Sequence, residues 1–316
     1  MEIRADYTRP SIECSRCRSL DTARFLRGLF VMSGTAGESA LPLDDQYIER
    51  TEYPFTVGGR ADVSLTSFSG SIDIHAWERP EVLVVVEKIA PNKDDAAAIQ
   101  ARIEQAGNHI RVDIPRPTDK SVNHSFTTGR RHVRLFVSLP AASDVEATTG
   151  AGAIGVDRIS GRVTLQSGAG DLDGRGLNGS VTAMTGAGKI DIDDVKGDVD
   201  AQTGSGAISI RGSLNRLKVR SSAGSIIVRA VIGTMILGDW NISSGVGNID
   251  VTVPDDINAE LDARTDVGSL DAHLSTVTER STHHLHGRVG SGGRCISVRT
   301  GVGSITVRGP QGGSAK

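Results

Sequence analysis

Two aspartates, Asp173 and Asp191, come nearest to a catalytic pair in this chain of 316 residues. They stand 18 residues apart, each just after the glycines of the stretches GAGDLDG and GAGKIDID. If the chain coils back on itself with that period, neighbouring strands bring the two carboxyl groups to about 4.8 Å. Retaining glycosidases use a similar carboxyl separation, and the same oxygens are ligands that Ca²⁺ prefers. Because stacking alone produces this distance, the pair is a candidate for acid chemistry or for a cation and defines neither.

Ligands for a metal ion are sparse in the rest of the sequence. A calcium-binding roll needs glycine and aspartate ligands in both halves of every coil, and second halves such as NGSVTAMTG lack them. The cysteines form one C-x-x-C, which is half of a four-cysteine zinc site, and the clustered histidines have no partner at a diagnostic spacing. These residues are Cys14, Cys17, Cys295, His273, His283, His284 and His286. We therefore predict no metal site, and no residue spacing indicates a catalytic nucleophile.

The stretch TGAGAIGV, residues 149–156, has the glycine spacing of a dinucleotide-binding loop at Gly150, Gly152 and Gly155. Such a loop must lead into a helix, because the amino terminus of the helix holds the pyrophosphate. Here the following residues, VDRISGRVTLQS, alternate between apolar and polar side chains as strands do. The sequence therefore predicts a structural turn and no bound cofactor.

The same glycine motif recurs along the chain within a twelve-residue template. The template is Φ-x-Φ-x-[ST]-x-x-G-x-Φ-x-Φ, where Φ is apolar or small, and its clean copies begin 18 residues apart. Alternation on both sides of the glycine predicts two short strands per coil, each with one buried face. The nine copies begin at Val63, Val145, Val163, Val181, Val199, Leu217, Trp240, Leu261 and Ile296. This repeat predicts an all-β, single-chain parallel β-solenoid, in which no coil is stable without its neighbours.

Two columns of turn residues are expected to close each coil. The first consists of the template glycines, and the second of residues that tolerate a left-handed backbone, glycine before asparagine. The first column is Gly152, Gly170, Gly188, Gly206 and Gly224, and the second is Gly161, Gly179, Gly197 and Asn215.

Stacking in register predicts continuous ladders of like side chains. The buried ladders are Val163, Val181, Val199 and Leu217, and Ile154, Leu172, Ile190, Ile208 and Ile226. Outward-facing charges test the register independently, because Asp157, Arg175, Asp193 and Arg211 alternate in sign at the same period. Asp198 and Asp200 likewise stand 18 residues before Arg216 and Lys218. Each cross-strand charge pair contributes about 0.2 to 1 kcal/mol.

The predicted organisation has four parts. Residues 1–45 are expected to be a disordered or degenerate targeting segment, with a short apolar run that Arg27 interrupts. Residues 46–140 contain the first coil and a strand–helix–strand cap, whose helix is KDDAAAIQARIEQAG at 93–107. Such a cap would hide strand edges that otherwise pair with other chains. Residues 141–309 are the solenoid coils, and residues 310–316 form a loose tail.

The composition argues against a nucleic-acid partner and against a transmembrane helix. A formal net charge of −3 leaves no general footprint for a polyanion, so we expect no nucleic acid. The sequence has no run of 18 apolar residues, so we expect no transmembrane helix. The oligomeric state stays open.

The repeats resemble a bacterial β-strand-repeat domain of unknown function that is described as a candidate adhesin. The likeness lies in FTVGGRADVSLTSFSGSIDIHAWERPEVLVVV, in VRLFVSLPAASDVEATTGAGAIGV and in NIDVTVPDDINAELDARTDVGSLDAHL, together with the T-G-x-G-x-Φ repeats. The likeness spans residues 53–308. The resemblance implies an exported or envelope-attached, right-handed β-solenoid without established enzymatic activity, and it implies no functional residues.

These observations favour a non-enzymatic module at the cell surface or in the envelope, with an unknown surface or protein ligand. The first alternative is a carbohydrate-active β-helix enzyme, for which Asp173 and Asp191 are the candidate acids. The second alternative is a purely structural spacer.

Overall fold

The computed structural model describes residues 46–116, 131–254, 256–273 and 277–309. The predicted targeting segment and tail, 1–45 and 310–316, lie outside the described residues. The described residues belong to one compact unit that begins at Leu43, and they contain 23 strands in one continuous sheet. The strands are β1 Tyr47–Thr56, β2 Ala61–Ser67, β3 Gly70–Trp77, β4 Glu81–Ala90, β5 Arg102–Ala106, β6 His109–Ile114, β7 His132–Pro140, β8 Ser143–Ala151, β9 Ile154–Asp157, β10 Ser160–Ala169, β11 Leu172–Arg175, β12 Asn178–Ala187, β13 Ile190–Ser205, β14 Ile208–Ala223, β15 Ile226–Ala230, β16 Trp240–Val246, β17 Ile249–Thr252, β18 Ala259–Val267, β19 Leu270–His273, β20 Val277–Arg280, β21 His284–Val289, β22 Arg294–Val302 and β23 Ile305–Arg308. One short helix, α1, spans Lys93–Ala97.

The central strands pair in parallel with the offset that the repeat predicts. Val163 lies opposite Val181, and Val181 lies opposite Val199. The other half of each coil stacks in the same way, with Leu172 opposite Ile190. These side chains are almost completely buried. Burial of one such side chain contributes about 1.5 to 3 kcal/mol, so the ladders form the core.

The last coils do not follow the order of the chain. The copy at Ile296 pairs with the copy at Trp240 on one side and with the copy at Leu261 on the other. Strand β22 therefore lies between two strands that precede it in the sequence. The excursion after β19 returns as β21, which pairs antiparallel with the remaining edge of β18. This covering of an edge protects it from pairing with another chain.

The first turn column has the backbone that its glycines imply. Its members Gly152, Gly170, Gly188, Gly206 and Gly224 have φ between +143° and +153°. The second predicted column is wrong as a set of left-handed turns. Gly179 and Gly197 have positive φ, but Gly161 and Asn215 do not, and all four residues lie inside strands.

Glycine occurs in this second column because the stacked backbones approach each other closely. A Cβ atom at Gly161 would lie 2.1 Å from the carbonyl oxygen of Ser143, and one at Gly197 would lie 2.0 Å from that of Gly179. The turn itself lies three residues earlier, where Arg158, Gly176 and Asp194 have φ between +53° and +61°. Because two of those three residues are not glycine, this corner could not be predicted from the glycine pattern.

A shift of register explains Asn215. Strands β13 and β14 pair with an irregularity between Gly197 and Val199, so Leu214 rather than Asn215 lies opposite Gly197. An asparagine is therefore accommodated without a positive φ.

The serine or threonine of the template has a role that the pattern did not predict. Its hydroxyl is buried and donates a hydrogen bond to the carbonyl oxygen of a turn glycine in the neighbouring coil. Thr185 donates to Gly170 at 2.9 Å, and Thr300 donates to Gly247 at 2.9 Å. The same bond is made by Thr149, Ser167, Thr203, Ser221, Ser244 and Thr265. This column joins successive coils at the corner.

The substitution Thr185→Val should lower the free energy of unfolding by about 1 to 2 kcal/mol, because it removes one buried hydrogen bond at nearly constant volume. Urea unfolding monitored by circular dichroism measures this loss. Thr182→Val, at a half-exposed position of the same strand, is the control and should change stability by less than about 0.5 kcal/mol. Equal stabilities of the two variants would contradict the role of the hydroxyl column.

The predicted helix at 93–107 is mostly wrong. Helix α1 covers only its first five residues, and β5 then pairs antiparallel with β6. Gly107, expected to end a helix, lies in the two-residue turn of this hairpin with φ +63°. The open edge of β6 supplies backbone hydrogen-bond partners for residues 102–106. This tertiary pairing overrides their weak helical propensity. Strand β6 itself extends the sheet beyond β2.

Asp157, Arg175 and Asp193 stack in register, as do Asp200 and Lys218. The contacts of Asp193 with Arg211 and of Asp198 with Arg216 fall at the irregularities of the β13–β14 pairing. Arg211 contacts Asp193 at 3.2 Å, and Lys218 contacts Asp200 at 2.8 Å. Arg216 lies 3.9 Å from Asp198. These side chains are largely exposed, so each pair contributes little to stability, but together they agree with the stacking of the ladders.

Candidate functional site

The two candidate acids are brought together. Asp173 and Asp191 are register neighbours on the parallel strands β11 and β13. They border a shallow depression of 380 Å³ that Asp193, Arg175, Arg211 and Arg229 also line. Asp191 accepts a hydrogen bond from the Lys189 ammonium at 2.5 Å. The depression therefore combines acids with basic groups, in which Asp191 is paired with Lys189 and Asp193 with Arg211.

The two acids differ in their environment. Burial, and after it the charge of Asp191, raises the pKa of the Asp173 carboxyl. The pKa of Lys189 is also raised, chiefly by its hydrogen bond to Asp191, although burial acts in the opposite direction there. A carboxyl with a raised pKa beside a second carboxyl that a lysine ammonium contacts is the arrangement of a general acid and its partner. The arrangement makes acid chemistry at Asp173 testable.

The substitution Asp173→Asn should stabilise the fold at neutral pH. The folded-state pKa of Asp173 lies above its ordinary value of 3.8. Stability from this group is therefore present below that ordinary value and is lost as the pH rises through the folded-state pKa. We expect a higher thermal midpoint than wild type at pH 7, and no difference near pH 3. The exposed Asp266→Asn serves as the control, and a midpoint at pH 7 no higher than wild type would contradict the expectation.

The glycines of the dinucleotide-like stretch serve the stacking of coils. After Gly152 the chain enters strand β9 and not a helix. A Cβ atom at Gly150 would lie 2.3 Å from the carbonyl oxygen of Phe68, and one at Gly152 would lie 2.2 Å from that of Gly70. The close approach of backbones thus accounts for these two glycines.

The metal-ligand candidates do not converge. Among the described residues, no group of three or more histidine, cysteine, aspartate or glutamate side chains is placed to hold a metal ion. His284 contacts Asp262 at 2.8 Å, and burial raises the pKa of the Cys295 thiol. His286 lies opposite Asp262 in the register of β18 and β21, whereas Cys14 and Cys17 lie outside the described residues.

A groove that the sequence analysis missed runs along the outer face of the long strands. It has a volume of 870 Å³ and follows the stacking direction over several coils. Its wall is the fourth template column, whose members in the groove are Thr148, Gln166, Met184, Gln202, Arg220 and Ser243. Its floor is the sixth template column, which contributes Gly168, Gly186, Gly204, Ser222 and Gly245. We call this feature the polar groove.

Four of the five floor residues of the polar groove are glycine, and the close approach of stacked backbones is the structural reason. A Cβ atom at Gly186 would lie 2.5 Å from the carbonyl oxygen of Gly168, and one at Gly204 would lie 2.5 Å from that of Gly186. The same column holds Phe68 beside Gly150 at one end and Asp266 beside Gly301 at the other. The side chains at these two positions close the glycine track.

The sequence carried a signal for this groove. The first glycine of each T-G-x-G recurs with the same period as the second. Only the second is required by the turn, so the first has another structural reason. The wall residues stand at an outward position of the template and are polar in most copies. Alternation along a single strand shows that both columns face outward, but it does not show that they border one groove once the coils stack.

Within the described residues, no helix has the length and apolar character needed to span a membrane.

Stacked coils, buried apolar ladders and a surface groove define a β-solenoid-like repeat protein. The chain belongs to the Toastrack DUF4097 family, whose model matches residues 60–308. This match confirms the resemblance to a repeat domain of unknown function. No curated protein matches the chain.

Three solved structures are similar to this chain at low identity. A candidate cell adhesion protein from Clostridium sporogenes is 14% identical with a TM-score of 0.31, covering 83% of this chain and 100% of its own. A candidate adhesin from Bacteroides fragilis is 11% identical with a TM-score of 0.41, covering 83% and 97%. A candidate lipid binding protein from Parabacteroides distasonis is 12% identical with a TM-score of 0.44, covering 84% and 97%. At this distance the likeness does not extend to function.

Proposed function

We propose that the chain is a right-handed β-solenoid of the bacterial cell envelope or surface that acts as a non-enzymatic interaction module. The polar groove is its binding face. The observation that carries the proposal is a groove of 870 Å³ lined mainly by amide, hydroxyl and glycine backbone groups, together with Met184 and Arg220. Such groups bind a ligand through many hydrogen bonds of modest individual strength.

The groove suits an extended ligand better than a compact one. It runs across the coils, and each coil contributes one wall residue at a spacing of about 4.8 Å. A chain lying along it would meet a similar set of groups at each step. Affinity would then grow with the number of coils occupied, which is the behaviour expected of multivalent binding.

A groove-filling variant tests the proposal. The labelled full chain is measured for binding to intact bacterial cells and to immobilised envelope polysaccharides, next to Gln202→Trp and the control Gln100→Trp. Gln202 lines the groove, whereas Gln100 is exposed in the segment between α1 and β5. We expect Gln202→Trp to reduce binding about tenfold and the control to match wild type. Full binding by a folded Gln202→Trp protein would overturn the assignment of the groove.

Hydrolysis of a polysaccharide at Asp173 and Asp191 is the second candidate function. The observation in its favour is the raised pKa of Asp173 beside Asp191 in a depression that basic groups also line. Release of reducing ends from polysaccharides, lost in Asp173→Asn, would establish it. Absence of release by the wild-type chain across plant and bacterial polysaccharides would leave the binding function.

A further inference from the structure

The wall of the polar groove changes from neutral to basic along the solenoid. Beyond Gln202 the same outward column continues, one coil at a time, with Arg220, Ser243, Arg299 and Arg264. Among the described residues that line the groove itself, Arg220 carries the only formal charge. Any ligand that occupies the groove therefore meets positive charge at one end.

The guanidinium groups of this column are largely available to a ligand. All three arginines are exposed. Arg299 lies 3.6 Å from Asp262, which also contacts His284. Among the described residues, neither Arg220 nor Arg264 forms an ion pair with a carboxylate. Exposed arginines without a partner carry little desolvation penalty and are free to form paired hydrogen bonds with an oxyanion.

The spacing of the basic groups favours a linear polymer with regularly placed anions. Coils stack at about 4.8 Å, so Arg220 and Arg299 stand two steps apart and Arg264 one step further. One pyranose unit has a length similar to one coil, so an acidic polysaccharide can present carboxylate or sulfate groups in register with this column. Its hydroxyl groups match the amide and hydroxyl groups of the neutral half.

A nucleic acid fits these observations less well. Single-stranded nucleic acid is held by basic grooves together with aromatic side chains that stack on the bases. No aromatic residue is among the described residues that line the groove, and the net charge of the chain is −3. A sugar chain with oxyanion substituents needs neither feature.

We infer that the polar groove binds a linear anionic polysaccharide, with Arg220, Arg299 and Arg264 holding its oxyanion groups and the neutral wall holding its hydroxyl groups. The inference rests on the proposed function, because it names the class of ligand for the same groove.

The experiment measures binding of the full chain to immobilised polygalacturonate, dextran sulfate and neutral dextran, with single-stranded DNA as a polyanion of another class. We expect wild type to prefer an anionic polysaccharide over dextran by at least about tenfold, and the two anionic polymers distinguish carboxylate from sulfate. Arg220→Gln should weaken this binding about tenfold, as should the double variant Arg264→Gln/Arg299→Gln. The matched control is Arg294→Gln, an exposed arginine at the start of β22, five residues before Arg299 on the same strand, and should bind as wild type does.

The outcomes separate the two proposals. If Gln202→Trp abolishes binding but the arginine variants bind every polymer as wild type does, the anionic ligand is wrong and the groove function stands. If neither kind of variant changes binding, both proposals fail. A preference for DNA, or an equal loss in Arg294→Gln, would also overturn the inference. Binding that weakens with added salt in wild type, and less steeply in Arg220→Gln, supports it, because exposed charge pairs are screened by ions and each lost contact reduces the salt dependence.

Discussion

Gly179→Val should destabilise the protein by about 3 to 5 kcal/mol, since it combines backbone strain with a steric collision inside a packed structure. Gly179 has φ +133°, a conformation that β-branched residues resist. A Cβ atom there would lie 2.2 Å from the carbonyl oxygen of Gly161 in the adjacent coil. Neither strand can move away alone, because each is paired on both sides. Urea unfolding monitored by circular dichroism measures the effect.

Gly155→Val is the matched control for this substitution. Gly155 lies in a strand, does not have a positive φ, and a Cβ atom there would meet only the Asp73 carboxylate at 3.2 Å. Because that side chain is able to turn away, we expect a change below about 1 kcal/mol, as for other surface positions. Equal unfolding midpoints for Gly179→Val and wild type would show that the coils do not approach as closely as the structure has them.

Trp240→Ala should lower the free energy of unfolding by about 3 to 5 kcal/mol, the range for removal of a large buried aromatic side chain. Trp240 is 0% exposed and lies in the first ladder between Leu217 and Ile296. It joins the regular coils to the coil that returns from the end of the chain. A cavity at this position therefore weakens contacts on both sides.

Trp240→Phe separates the packing of this residue from its polar atom. The indole nitrogen is buried without a hydrogen-bond partner among the described residues, and an unpaired buried donor opposes folding by about 1 to 3 kcal/mol. Phenylalanine removes that donor and keeps most of the apolar contact, so we expect a much smaller loss than for alanine. A loss in Trp240→Phe equal to that in Trp240→Ala would indicate that the nitrogen has a partner. Thermal and urea unfolding of both variants decide between these results.

The ladders show how much of this fold could be predicted from the local sequence pattern. Val163, Val181 and Val199 could be placed opposite one another from spacing alone, because a regular period of alternating strands has one packing that buries every apolar side chain. The same argument placed the charge pairs, since Asp200 and Lys218 occupy one outward column. In a periodic sequence every coil carries the same pattern, so every coil supports the same register.

The errors lie where the chain leaves its period. Residues 102–106 pair with β6 instead of extending a helix, because an open strand edge was available to them. The copies at Leu261 and Ile296 also stack in the reverse of their order in the sequence. Both copies carry the same template, so the sequence holds no information on which of them lies next to Trp240. The polar groove was missed because its wall and floor come from two columns that become neighbours only when coils stack.

The sequence by itself determined the strand period, the buried columns and the glycine turn after each long strand, since these depend on alternation and on side-chain size within a few residues. Only the tertiary structure decided the order of the last coils, the pairing that replaces the helix, the corner at Arg158, Gly176 and Asp194, and the groove whose wall includes Arg220. Each of these depends on which backbone lies beside which, and contacts between distant segments are not encoded in any local pattern.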